Sequence, residues 1–177
     1  MKVFVNRLLA FAIDYTVIAV YGVLLFGLST WISSSTGLHM KESPAIGQLI
    51  GFLTVTIPVF LYFYLTEKGN HKATIGKRMQ KFCVTISEEH VQRPVLTRNL
   101  IKFIPWEIAH AGVHWMKYYE REGIENPMWV WFLVIIPQLI VIAYIISILQ
   151  SKGHGSFYDH IAGTRVVSVT QSEQFLK

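Results

Sequence analysis

The sequence predicts an all-α membrane protein, a four-helix transmembrane bundle with a small cytoplasmic β element, and three observations predict it. Of 177 residues, 52% are apolar and only 15% charged, where an average soluble domain has about a quarter charged. The charges are clustered, so the mean hydropathy of +0.40 comes from long uncharged blocks of the kind that cross a bilayer. Two short β-branched segments, 81–86 (KFCVTI) and 164–170 (TRVVSVT), each follow a glycine and basic residues and supply the β element. The same composition excludes other classes. Apolar and aromatic residues are too abundant for disorder, and the single cysteine, Cys83, cannot form an internal bridge. A net charge of +5 would suggest nucleic acid in a soluble protein. Beside membrane spans, basic residues report orientation instead, so no nucleic-acid partner is expected.

A helix rising about 1.5 Å per residue needs about 20 mostly apolar residues to cross a core about 30 Å thick. Residues 8–28 meet that test with Asp14 as the one ionisable group besides tyrosines, and 46–65 and 128–149 contain none beyond tyrosine. Residues 99–116 carry Lys102, Glu107, His110 and His114, so this stretch is either a polar span or an interfacial helix. The sorting of Lys and Arg decides between the two. Lys2 and Arg7 precede the first span, Lys68, Lys72, Lys77, Arg78, Lys81, Arg93 and Arg98 follow the second, and Lys152, Arg165 and Lys177 follow the last. Lys41 alone follows the first span, and Lys117 and Arg121 are offset by Glu120, Glu122 and Glu125. With four crossings, both termini and a basic loop over 66–98 lie in the cytoplasm. The first stretch is too long for a signal peptide, contains Asp14 and lacks a small-residue cleavage pattern, so it is expected to stay as an anchor.

Trp31, Trp106, Trp115, Trp129 and Trp131 sit near span ends, where an amphipathic ring suits the headgroup layer. Pro58, Pro105 and Pro137 lie inside spans, where each frees a carbonyl and favours a packing kink. Gly47 and Gly51 form a G-x-x-x-G pair that lets helices approach. The two β-branched segments lie on the same side of the membrane and each needs a partner for its backbone, so they are expected to pair. Gly69 to Lys77 is not a phosphate-binding loop, because six residues separate the glycines and Arg78 follows the lysine.

Asp14 is the costly residue, since an acid in the apolar layer costs at least about 2.5–3.5 kcal/mol on insertion scales. It must be partnered or protonated, and a transport role and a bundle-holding hydrogen bond are both open. Arg7 lies on the same face of that helix but about two turns away, too far for direct contact. Glu107, His110 and His114, spaced three and four apart, share one face with Asn99 and Tyr118 near the same stripe. A carboxylate and two imidazoles suit zinc or a proton relay, but the set is short of a ligand. A polar side turned to the bundle interior is the preferred reading, with no metal and no cofactor. No G-x-S-x-G, H-E-x-x-H or cysteine cluster occurs, so catalysis has no support and no catalytic residue is assigned.

These residues fall into a pattern. N-R-L-L-A-F-A-I-D (Asn6 to Asp14), T-I-G-K-R (Thr74 to Arg78) and Y-D-H-I-A-G-T-R-V-V (Tyr158 to Val167) occur in that order. The chain thereby resembles the RDD family of small membrane proteins, named for an arginine and two aspartates. Arg7 and Asp14 match R-x-x-A-x-x-x-D, and Asp159 matches the second aspartate. Tyr158 stands where the family commonly has histidine and His160 where it has arginine, and the polar third helix is outside the signature. The resemblance implies one RDD-type transmembrane domain over 1–170, a polar tail over 171–177, and a multi-pass protein of the bacterial inner membrane. Some members are regarded as transporters, including sodium/proton antiporters, and others as assembly factors. On the antiporter reading Asp14 holds a proton or monovalent cation near the inner half of the membrane. Arg7 and Arg78 tune its acidity, and Asp159 belongs to a cytoplasmic gate tied to a basic partner, with Arg165 a further ion-pair candidate. Four helices are few for a transport path, so a homo-oligomer is then expected. The alternative is a non-transporting structural or assembly subunit whose Arg and Asp residues form ion pairs and whose basic loop docks a partner or anionic lipid. That alternative predicts that the swap of Arg7→Asp with Asp159→Arg restores expression.

Overall fold

A computed structural model describes residues 2–36, 43–87 and 91–170. Lys41 and the polar tail over 171–177, with Lys177, lie outside the described residues. The elements run α1 (Lys2–Thr36), α2 (Pro44–Gly51), a π-helical turn (Phe52–Thr56), α3 (Ile57–Lys68), α4 (Ile75–Met79), β1 (Phe82–Ile86), α5 (Pro94–Arg121), α6 (Met128–Gln150), α7 (Phe157–Ile161) and β2 (Thr164–Ser168). Three stretches are long and apolar enough to cross a membrane: Val3–Thr36, Pro44–Lys68 through the π turn, and Met128–Gln150. Only 6% of the apolar window of Met128–Gln150 is buried inside the protein. Its surface is therefore a band of apolar side chains that requires an apolar solvent.

Helix α5 has the length of a span, at 28 residues, but its charges keep it outside that compositional class. It lies antiparallel to α6. Trp115 and Trp129 pack edge to face at 5.2 Å toward one end, and the Tyr144 hydroxyl donates to the Ile101 carbonyl at 3.2 Å toward the other. Small residues permit the close approaches. A Cβ at Gly112 would lie 2.9 Å from Val134 Cγ2, and one at Gly51 would run into the His110 ring. Gly51 of the G-x-x-x-G pair thus serves the α2–α5 contact.

Two of the three span prolines carry a common signature. Pro58 has no N–H for the carbonyl of Thr54, the chain takes a π turn over Phe52–Thr56 just before it, and the Tyr21 hydroxyl donates to that carbonyl at 2.5 Å. Pro105 leaves the Ile101 carbonyl in the same state, and Tyr144 reaches it. In lipid a freed carbonyl has no water to turn to, so a neighbouring helix supplies the donor.

The two β-branched segments pair antiparallel, with Cys83 opposite Val167 and Val84 opposite Val166. The first strand starts at Phe82 because Lys81 adopts a left-handed φ of 58°. The second ends at Ser168, two residues before the predicted limit, as the backbone turns helical. Both faces of the ribbon are used. Phe82, Val84 and Val166 pack with Val3 of α1, while Cys83 and Val167 pack with Ala73. The sheet therefore sits at one end of the molecule with the start of α1, the end of α3, the start of α5 and the end of α6.

The segment 66–98, expected as a connecting loop with a strand, is narrower and partly helical: α3 continues to Lys68, α4 spans Ile75–Met79 and α5 begins at Pro94. Lys77 and Arg98, counted as loop charges, are buried.

Candidate functional site

The ionisable residues at the sheet end fold inward. Asp14 on α1 is 2% exposed. Its Oδ1 accepts from the Tyr62 hydroxyl at 2.7 Å and the Gly76 N–H at 2.9 Å, and its Oδ2 accepts from Thr74 Oγ1 at 2.6 Å. Thr74 is also the N-cap of α4, where its oxygen accepts from the Lys77 N–H at 3.3 Å. A five-residue helix does not persist on its own, so α4 is held in place by Asp14. Gly76 is what lets it come so close. A Cβ there would collide with the Ala10 carbonyl and lie 3.0 Å from Asp14 Cγ.

Beyond α4, charges alternate along a buried chain. Lys77 Nζ donates to Glu67 Oε1 at 2.6 Å, and Arg98 Nε and Asn99 Nδ2 each donate to Glu67 Oε2 at 3.0 Å. Arg98 Nη1 pairs in turn with Asp159 Oδ1, and its guanidinium lies 5.2 Å from the centre of the Tyr158 ring. Arg7 completes the series, with Nη2 3.6 Å from Asp159 Oδ2 and Nη1 donating to the Gly153 carbonyl at 2.8 Å. Asp159 also closes a capping box with Ser156 at the start of α7. It accepts from Thr164 Oγ1 at 3.0 Å. Lys102 lies alongside, its Nζ 3.1 Å from the centre of the Phe63 ring.

The predicted residues thus divide. Arg7 and Asp159 come together, whereas Asp14 occupies a neighbouring site with different partners, in keeping with the two-turn separation from Arg7. Arg78 is exposed and donates through Nε to the Ala73 carbonyl at 3.2 Å. Arg165 is exposed on β2 opposite Thr85. Neither forms an ion pair with Asp14. On the polar face of α5, Glu107 accepts from Gln48 Nε2 and, at 2.7 Å, from Thr56 Oγ1. His110 and His114 bring their Nε2 atoms to 3.2 Å. Asn99, on the same stripe, turns instead to Glu67. Among the described residues no group of three His, Cys, Asp or Glu side chains converges as metal ligands would.

Sequence reasoning missed Glu67 and Arg98, the two residues that join everything else. A signal was present: Glu67 is a lone acid at a span end within a stretch otherwise dominated by cations, which marks it for pairing. Chemically, the cluster is a set of buried ion pairs. Removing one partner from such a set costs about 3–5 kcal/mol, while the set as a whole adds little net stability. It fixes which elements meet.

The chain is 29% identical over 153 residues to Transmembrane protein 267 of Mus musculus, an overlap of 82% of this chain and 68% of that protein. No solved structure matches. The RDD family profile matches residues 2–163, a range that contains Arg7, Asp14, Thr74 to Lys77 and Asp159. On that match, and with those residues gathered at one end of the fold, the chain belongs to the RDD family.

Proposed function

We propose that this protein is a four-span, non-enzymatic membrane subunit in which the signature charges form a structural lock. In this reading α5 is the third crossing, and the sheet and both termini face the cytoplasm of the bacterial inner membrane. Residues 1–170 act as one unit. The lock joins α1, α3, α4, α5 and α7 at the cytoplasmic end and leaves the sheet as a fixed platform. The observation that carries the reading is the saturation of Asp14, whose two oxygens already accept from Tyr62, Gly76 and Thr74. A carboxylate with three donors in place serves as a joint rather than as a carrier. The cation/proton antiport reading requires Asp14 to exchange those donors for its cargo, and a homo-oligomer to form the path.

Purified protein in vesicles, challenged with sodium or potassium gradients, tests the choice. The lock predicts proton flux no greater than in protein-free vesicles and a lowered unfolding temperature for Asp14→Asn. Cation-driven flux in the wild type that Asp14→Asn abolishes, with the variant still folded, overturns it.

A further inference from the structure

We propose that α4 and α7 are interfacial anchors that seat the sheet end on anionic lipid headgroups. The inference rests on the four-span reading and adds the lipid class that the platform binds. Depth is the first support. Counting back about 30 Å from Trp31 at about 1.5 Å per residue reaches Phe11, so Ala10 and Asp14 straddle the opposite boundary of the apolar layer. Helix α4 lies against them through Gly76. Helix α7 packs at the corresponding level of α6, where the Tyr158 and Tyr144 rings meet at 5.1 Å and Ser156 Oγ donates to the Tyr144 carbonyl at 3.4 Å.

Each short helix turns an apolar pair outward at i and i+4. Ile75 and Met79 on α4 are 42% and 64% exposed, and Phe157 and Ile161 on α7 are 56% and 47% exposed. In water such pairs would be a liability. At the headgroup boundary they are the inserted side of an amphipathic element.

Charge supplies the lipid class. The carboxylates of Asp14, Glu67 and Asp159 are all buried, so the lock withdraws them from the surface. Lys68, Lys72, Arg78, Lys81, Arg93, Lys152 and Arg165 remain exposed. Among the described residues at this end no exposed carboxylate opposes them, which matches the negative surface of a leaflet rich in anionic lipid. Arg78 and Lys81 lie on either side of Met79 in the exposed pair of α4, and Lys152 precedes that of α7.

The unmodified protein in phosphatidylcholine vesicles, probed with spin-labelled phosphatidylglycerol or spin-labelled phosphatidylcholine, tests the lipid preference. The expected result is a relative association about twofold or more in favour of phosphatidylglycerol at low salt, falling toward parity in the Arg78→Gln, Lys81→Gln, Lys152→Gln variant. Parity in the wild type, or a preference the triple variant keeps, overturns the proposal. Insertion is read from nitroxides at Met79→Cys, Phe157→Cys and Arg165→Cys in a Cys83→Ser background. Positions 79 and 157 are expected to be relaxed by oxygen and position 165 by a water-soluble nickel complex. Equal nickel access at all three overturns the anchoring. A nitroxide at Val113→Cys reports separately on α5, so failure of the four-span reading appears there and not at 79 or 157.

Discussion

The Tyr144 hydroxyl donates to the carbonyl of Ile101 at 3.2 Å, the carbonyl whose helical partner would have been the N–H that Pro105 lacks. The proline in α5 and the aromatic residue on α6 are therefore one device. Tyr144→Phe is expected to cost about 1 kcal/mol, the scale of a hydrogen bond between membrane helices. In a Pro105→Ala background residue 105 can donate again, so the same substitution should cost much less. Unfolding midpoints in detergent for the four members of this cycle provide the check, and an equal cost in both backgrounds would separate Tyr144 from Pro105.

Gly76 and Gly27 make a second comparison. A Cβ at Gly76 meets backbone of α1, whereas one at Gly27 meets nothing within 4 Å. Gly76→Ala should displace α4 and strip Asp14 of a donor, with a loss of about 1–3 kcal/mol or more from overpacking. Gly27→Ala should be neutral or slightly stabilising, as alanine suits a helix better. Thermal unfolding of the two variants side by side gives the answer.

The shared carboxylate of Asp159 changes what a charge swap does. If Arg7 and Asp159 formed an isolated pair, Arg7→Asp with Asp159→Arg would restore the protein. Asp159 also faces Arg98, so the swap sets two guanidinium groups against each other in a buried site and should yield less folded protein than the wild type. Glu67→Gln should be damaging for the same reason, by about 3–5 kcal/mol, because Lys77 and Arg98 lose their common counter-charge. Detergent-extracted yield and size-exclusion profiles read both effects, and a swapped protein that folds like the wild type would remove Arg98 from the network.

The spans were legible because an uncharged run of about 20 residues has few other uses, and the strands because short β-branched runs followed a glycine and basic residues. Asp14 stood out as an ionisable group inside apolar sequence, and Arg7 and Asp159 through the match to the RDD motifs. Their wiring was not legible. Glu67 and Arg98 fall just outside the apolar windows, in stretches where counting charges along the chain cannot tell a buried cation from a solvated one. Lys77 and Arg78 show the difficulty: adjacent in sequence, one turns beneath α4 to Glu67 and the other lies exposed at the surface.

Averaged around its axis, helix α5 is too polar to be classed as a span by composition. Glu107 turns to Gln48 and Thr56, while Leu100, Ile104, Trp106 and Val113 are exposed. A helix whose polar face is covered by neighbours can cross a bilayer at modest cost. If α5 crosses, a cysteine at Glu125 in the Cys83→Ser background is labelled by an impermeant maleimide added to intact cells. One at Lys72 then reacts only after permeabilisation. Labelling of both positions from the same side would leave α5 at the surface of the membrane and reduce the bundle to three crossings.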